Sequence, residues 1–252
     1  MFTRESAVNE IKKKVLEMEK VTAAWEGGSV ATGFDDDYSD LDLCMVCKDE
    51  HKEEVLNEMV RFLENTFGQE NMYRLPEPTY HGFSQVFFKT LNTPDLFYVD
   101  FAVMGESVED KYIEENRHGI GRIWVDKYKL DPSPRPHDKI KEVAKNLYNS
   151  TIEKDFILIL ELKKQIKRQI FSEAFPLYMS FIARCIVPLM NIKYRPAKAD
   201  FGMRYIYRDY PKDRYQFIEN ALRVNDIESL KKYFYRLSNE YECLKDELQN
   251  PK

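Results

Sequence analysis

What the chain lacks narrows its class before anything else does. Among 252 residues there are only four cysteines, too few for a disulfide framework, so a reducing compartment is expected and the cytoplasm is the simplest one. The longest apolar runs, such as Phe156-Ile-Leu-Ile-Leu160, fall far short of the roughly 20 residues that span a bilayer, so no membrane partner is expected. The opening MFTRESAVNEIKKK has no apolar stretch of the kind a secretory signal carries. There is no internal repeat and no low-complexity tract. Gly119-Ile-Gly121 is not extended into a dinucleotide fingerprint. Cys44 and Cys47 are spaced to fall on opposite faces of a strand, with no second pair to complete a zinc site. His81, His118 and His137 are scattered among loop signals and read as surface residues.

What is present points to a folded chain. Apolar residues make up 43% and aromatics 13%, enough to bury a sizeable core and to exclude general disorder. The length suits one large domain or two small ones. The net charge of -5 is unevenly spread: residues 1–136 carry 16 Lys+Arg and 27 Asp+Glu for a net of -11, and residues 137–252 carry 22 and 16 for a net of +6. Two parts with different electrostatic work are expected.

Hydrophobic periodicity predicts an amphipathic helix over 5–20, a β-prone stretch at 21–25 stopped by Gly27-Gly28, and a buried strand over 41–47. A helix is expected over 49–67, then strands at 83–91 and 96–104 joined by the turn Asn92-Thr-Pro-Asp95, and a last strand at 122–127. Asp131-Pro-Ser-Pro-Arg-Pro136 is the clearest break, because clustered prolines end any element and form a stiff connector. Beyond it the pattern is helical: 137–148, 151–169, 175–190, 214–223 and 227–248 are expected as helices, with Pro176 and Pro188 near the two ends of the third. The fold class is therefore α+β: an N-terminal domain over 1–130 with a small mixed sheet flanked by helices, and an all-α bundle over 137–252.

The stretch that carries chemistry is Trp25-Glu-Gly-Gly-Ser29 followed by Tyr38-Ser-Asp-Leu-Asp-Leu43. Residues two apart on a strand share a face, so Asp40 and Asp42 aim their carboxylates together at the start of an apolar strand. Such a pair repels itself unless a cation lies between, and Mg²⁺ takes oxygen ligands that it shares with substrate phosphates. Gly27-Gly28-Ser29 offers backbone N–H groups that a phosphate can approach closely, plus a hydroxyl. Asp100 lies inside Phe97-Tyr-Val-Asp-Phe-Ala-Val103, a strand pattern in which a charge needs a partner. If its strand neighbours that of Asp40 and Asp42, three carboxylates converge and can hold two metal ions for an in-line displacement at phosphorus. Asp35-Asp-Asp37, by contrast, reads as a solvated turn.

At these residues the sequence resembles the nucleotidyltransferase superfamily of polymerase-beta type, whose pattern is a strand ending in Gly-Ser, about ten residues, Asp-x-Asp on the next strand, and a third acid on a later one. Gly28-Ser29, Asp40-Leu-Asp42 and Asp100 follow that order, and Ser-Asp-Leu-Asp-Leu is similar to the antibiotic (aminoglycoside and lincosamide) adenylyltransferases. The resemblance implies that Asp40 and Asp42 bind two Mg²⁺ ions and that Asp100 completes the catalytic metal site and accepts the attacking hydroxyl's proton. It implies that Gly28 and Ser29 grip the triphosphate. A looser resemblance over 180–211, through Arg195-Pro-Ala-Lys198, implies that Lys198 also reaches the triphosphate. One departure stands out: Val30-Ala-Thr-Gly33 has no basic residue just after Gly-Ser.

The implied reaction is transfer of a nucleoside monophosphate, AMP from ATP as first choice, to a hydroxyl of a small acceptor such as an aminoglycoside-type antibiotic. A cationic acceptor would want acidic residues around it, for which Glu77, Asp95 and Glu106 are candidates. The overall acidity argues against long nucleic acid as a partner, while a homodimer is left open. Two other readings remain: transfer to a protein or RNA acceptor, and an inactive nucleotide-binding scaffold. Lys163-Lys164 with Lys167-Arg168 forms a basic helix face, either solvated or phosphate-binding. The aromatics Tyr194, Phe201, Tyr205, Tyr207 and Tyr210 could stack a base but fit a core equally well.

Overall fold

The computed structural model describes residues 1–79 and 81–249. Contacts divide the chain into two compact units, Met1–Pro134 and a second that begins at Arg135.

In the first unit, α1 (Arg4–Glu17) starts at a capping box in which the Thr3 hydroxyl accepts the Ser6 N–H at 3.1 Å. Then come β1 (Val21–Glu26), the short α2 (Gly28–Thr32) and β2 (Leu41–Cys47). A 3₁₀ turn at Asp49–His51 leads into α3 (Lys52–Phe67), followed by β3 (Gln69–Arg74), β4 (Ser84–Thr90), β5 (Val99–Gly105), the one-turn α4 (Glu115–His118) and β6 (Arg122–Asp126). Among the described residues, six strands form one mixed sheet in the order β3-β4-β5-β2-β1-β6, with β2 and β5 parallel and the other pairs antiparallel. This is the expected α+β sheet flanked by helices.

Strand alternation decides which side is core. Leu41, Leu43, Met45 and Cys47 of β2, with Val99, Phe101 and Val103 of β5, pack under α1 and α3 among Ile11, Val15, Met59 and Leu63. The opposite face gathers Ala23, Trp25, Val46, Ala102 and Met104 around Phe83 and Ile113. Cys44 joins this second cluster and Cys47 the first, so the two thiols are on opposite faces. β3 has no counterpart among the predicted elements. Its residues are nearly all exposed, so an edge strand with neither face in the core leaves no alternation to detect. β5 starts three residues later than expected, since 94–97 form a turn in which Phe97 N–H donates to the Pro94 carbonyl at 3.0 Å.

The second unit is helical: α5 (His137–Arg168), α6 (Phe171–Phe181), a π turn at Ile182–Ile186, α7 (Val187–Tyr194), a 3₁₀ segment at Pro196–Phe201, α8 (Ile206–Asp209), α9 (Lys212–Leu222) and α10 (Ile227–Gln249). Two expectations need correction. Helices 137–148 and 151–169 are one helix, because Asn149-Ser150 contains no breaker and the Ser150 hydroxyl donates back to the Leu147 carbonyl at 3.0 Å. Pro188 does not end the third helix. The π turn places the Val187 N–H on the Ile182 carbonyl, and this wider winding lets the chain continue past a residue that lacks an N–H. Phe171–Tyr194 is long and apolar enough to cross a membrane by length and composition, but more than half of its apolar window, 56%, is buried inside the protein. Tyr178, Phe181, Ile182, Ile186 and Leu189 from this stretch belong to the helical core, which accounts for the composition.

One polar residue organises the end of this unit. Asn191 is fully buried and uses all of its hydrogen-bonding capacity. Its Nδ2 donates to the carbonyls of Ala199 and Gly202, each at 3.0 Å, and its Oδ1 accepts from Arg195 Nε at 2.8 Å and Tyr210 Oη at 2.6 Å. Asn191→Ala removes all four of these buried bonds and is expected to cost about 3 kcal/mol or more. Urea unfolding followed by far-UV circular dichroism measures this, and a loss under about 1 kcal/mol would contradict the assignment.

Candidate functional site

The parallel pairing of β2 and β5 sets Leu41 opposite Val99 and Asp42 opposite Asp100. Leu41 and Val99 enter the core, so Asp42 and Asp100 both point to the other face, from strands about 4.8 Å apart. Asp40, just before β2, is two residues from Asp42. The Tyr98 hydroxyl has its pKa pushed well up, first by burial, then by Asp40 beside it and by the charges of Asp100 and Asp42. One phenol thus senses all three predicted acids. The Cys44 thiol, deeper on the same face, is also pushed up by burial and then by Asp42 and Asp100, so it stays protonated and offers no thiolate ligand.

The glycine turn closes against this pair. Gly27 N–H donates to the Asp42 backbone carbonyl at 2.8 Å. Gly28 adopts φ +55°, and a Cβ built there would lie 1.6 Å from Asp42 Oδ2, so only glycine fits in both conformation and space. The expected turn is in fact the first turn of α2. Its Thr32 hydroxyl donates to the carbonyls of Gly28 and Ser29, and Phe34 N–H donates to the Ser29 carbonyl at 3.0 Å. Gly119 lies against α2, where a Cβ would meet the Ala31 carbonyl oxygen at 2.2 Å, and Gly121 lies against the Trp25 ring. Their role is close packing beside the turn.

Three contributors were not apparent from sequence. Arg4, the first residue of α1, donates to the carbonyls of Ser39 (2.8 Å) and Asp40 (3.1 Å) and so pins the backbone just ahead of the acid strand. The same guanidinium reaches Glu26 at 3.4 Å. Glu26 is only 1% exposed and is held on its other oxygen by Arg122 at 3.1 Å. The third, Gln85 on β4, donates from Nε2 to Asp100 Oδ1 at 2.7 Å. No local signal marked it, since β4 also carries Ser84, Lys89 and Thr90.

Several expected participants are engaged elsewhere. Glu77 is tied to Arg74 (2.7 Å), Ser84 (2.8 Å) and Lys52 (3.4 Å). Glu106 follows the far end of β5 and accepts from the Thr22 hydroxyl at 2.9 Å, six residues and about 20 Å of strand beyond Asp100. Asp95 is exposed on the turn before β5. In the second unit, Lys198 lies 3.3 Å from Asp209, which also binds Arg195 and Arg208 at 3.2 Å each. Burial raises the Asp209 pKa, but the bonds and charges of Arg208, Lys198 and Arg195 outweigh it and hold the carboxyl below its usual range. Tyr210 belongs to the helical core, whereas Tyr207 is exposed, and the Arg208 guanidinium lies 4.3 Å over the Tyr205 ring. Lys163, Lys164, Lys167 and Arg168 form an exposed face.

The donors around Asp42 and Asp100 are hard carboxylate oxygens of the kind Mg²⁺ prefers. As the side chains stand, no three His, Cys, Asp or Glu groups among the described residues are drawn together closely enough to hold an ion.

Residues 8–82 match the family model described as a nucleotidyltransferase domain. That span contains Gly28, Ser29, Asp40 and Asp42 and stops before Asp100. No curated protein matches the chain in sequence. Among solved structures the chain is similar to the "structure of GLD-2/RNP-8 complex", with 13% identity and a TM-score of 0.33, covering 83% of this chain and 66% of that one, just under two thirds of its length.

Gly28→Ala is expected to destabilise the first unit by about 1–2 kcal/mol from the positive φ alone and to displace the Asp42 side chain. Calorimetry and the Asp42 carboxylate carbon resonance measure the two effects. An unchanged resonance would contradict the close approach.

Proposed function

We propose that the first unit is a Mg²⁺-dependent nucleotidyltransferase that moves AMP from ATP to a hydroxyl of a small acceptor. The observation that carries this reading is the in-register placement of Asp42 beside Asp100 with Gly28 closed against Asp42. The nucleotidyltransferase-domain match over residues 8–82 supports it from the sequence side.

In this reading Asp40, Asp42 and Asp100 hold the metal ions, which when bound supply charge neutralisation for the acceptor oxygen and for the departing pyrophosphate. The protein's own groups do the rest. Gly28 and Ser29 present the first N–H groups of α2, with the Ser29 hydroxyl, to the phosphates. Asp100 receives the proton of the acceptor hydroxyl as its oxygen bonds to the α-phosphorus and the bond to pyrophosphate breaks, in line with the attack. Arg4 keeps Asp40 and Asp42 in register with Asp100 by fixing the two carbonyls that precede β2. Because Glu77 and Glu106 are committed elsewhere, a cationic acceptor has less support than a neutral hydroxyl compound.

A labelled-ATP transfer screen against aminoglycosides, lincosamides and total tRNA tests the acceptor class. In that screen a small molecule is expected to take up label, and labelling of tRNA alone would replace this acceptor with RNA. With the acceptor found, Asp40→Asn and Asp42→Asn are each expected to abolish pyrophosphate release, and Asp100→Asn to lower kcat by about a hundredfold or more, all with an unchanged melting temperature. Full turnover in any of the three would sink the assignment.

A further inference from the structure

Asp100 is held in a way that its strand pairing does not explain. On β4, Gln85 stands opposite Ala102, whose small side chain leaves room for the glutamine to lean back along β5 to Asp100. Its Nε2 donates to Asp100 Oδ1 at 2.7 Å. Because a carboxylate can only accept, the NH₂ end of the amide must face Asp100 and the carbonyl end must face away.

His81 lies near Gln85. Its Nδ1 accepts the Phe83 backbone N–H at 3.1 Å and lies 3.2 Å from the Thr79 hydroxyl. A nitrogen that accepts carries no proton, so in the neutral ring the proton lies on Nε2 and is available to the Gln85 carbonyl oxygen. The ring is steadied by Phe83, with centroids 4.4 Å apart, and by Thr79, whose hydroxyl donates to the Phe83 carbonyl at 2.6 Å. Burial lowers the His81 pKa against the raising effect of Gln85, which favours the neutral ring. The two donors fixed by distance are the Phe83 N–H on His81 and the Gln85 amide on Asp100, and a bond from His81 Nε2 to the Gln85 carbonyl would join them.

We propose that Gln85 is the positioning residue of Asp100 and that His81 fixes the Gln85 amide for this task. The proposal rests on the reading of Asp100 as a member of the reacting site. A neutral donor suits the task better than a lysine or arginine would. It sets the rotation of the carboxylate without cancelling the charge that a metal ion or an incoming proton needs. His81 in turn removes the amide's freedom to flip, since the reversed amide would set its carbonyl against Asp100 and its NH₂ against the His81 proton.

Gln85→Met keeps the length and removes the donor, and Gln85→Asn keeps the amide but shortens its reach, so the two guard against a packing effect in either one. Each is expected to lower kcat and to weaken Mn²⁺ binding, read by electron paramagnetic resonance without nucleotide, by about 10- to 100-fold. KM for ATP and the melting temperature should hardly change. His81→Ala should give a smaller loss in the native background and none in the Gln85→Met background, because it acts only through the amide. In ¹⁵N spectra the Gln85 side-chain NH₂ signals should shift in both His81→Ala and Asp100→Asn. Gln85 variants with native kcat and Mn²⁺ affinity beside an inactive Asp100→Asn enzyme would overturn this proposal alone. A fully active Asp100→Asn enzyme would overturn it together with the reading on which it rests. Losses from His81→Ala and Gln85→Met that multiply would remove His81 from the chain of donors.

Discussion

Two carboxylates at matching positions on neighbouring parallel strands repel one another, and much of the first unit is arranged around tolerating that pair. The apolar residues on either side of Asp42 and Asp100 are committed to the core beneath α1 and α3, so neither strand can slip by one residue without burying its acid and exposing its leucine or valine. The hydrophobic effect therefore forces the two charges together. Beside them stand the Tyr98 phenol, the Gln85 amide on Asp100 and a glycine against Asp42. Arg4 spends its donors on two backbone carbonyls and on Glu26.

Much of the fold was legible because it rests on short-range patterns. The apolar runs around 21–26, 41–47, 84–90 and 99–105 are strands in the structure, and the helix expected over 49–67 appears as a 3₁₀ turn followed by α3. What stayed hidden has physical reasons. β3 buries nothing and so leaves no periodicity. Asn149-Ser150 reads as a break only if propensity outweighs tertiary packing, and it does not. The π turn before Pro188 follows from the missing N–H of a proline within a helix that the core keeps intact.

The candidate site divides the same way. The residue types and their order, Gly28-Ser29, then Asp40 and Asp42, then Asp100, can be read along the chain. Their adjacency cannot, because it is a property of sheet order. The supporting residues are harder still. Gln85 is 15 positions from Asp100, and Arg4 is 36 from Asp40. Hydrogen bonds of that separation leave no local mark, and an arginine at the start of a helix looks like any solvated cation. Glu26 shows the converse: it lies inside the motif, yet it is turned to the opposite face and paired with Arg4 and Arg122, so its part is structural.

That buried glutamate also bears on when the site can exist at all. Its two arginine partners lie 22 positions before it and 96 after it. During synthesis, the acids of β2 leave the ribosome long before Arg122 does. Until β6 docks on β1, Glu26 is a carboxylate with half its compensation, and the strand that leads into Gly27-Gly28 has an open edge. The Gly27-Gly28 turn thus has its full support only once the final strand of the sheet is in place. A nascent or partly folded chain would carry the acidic motif before the strand beside it is fully compensated.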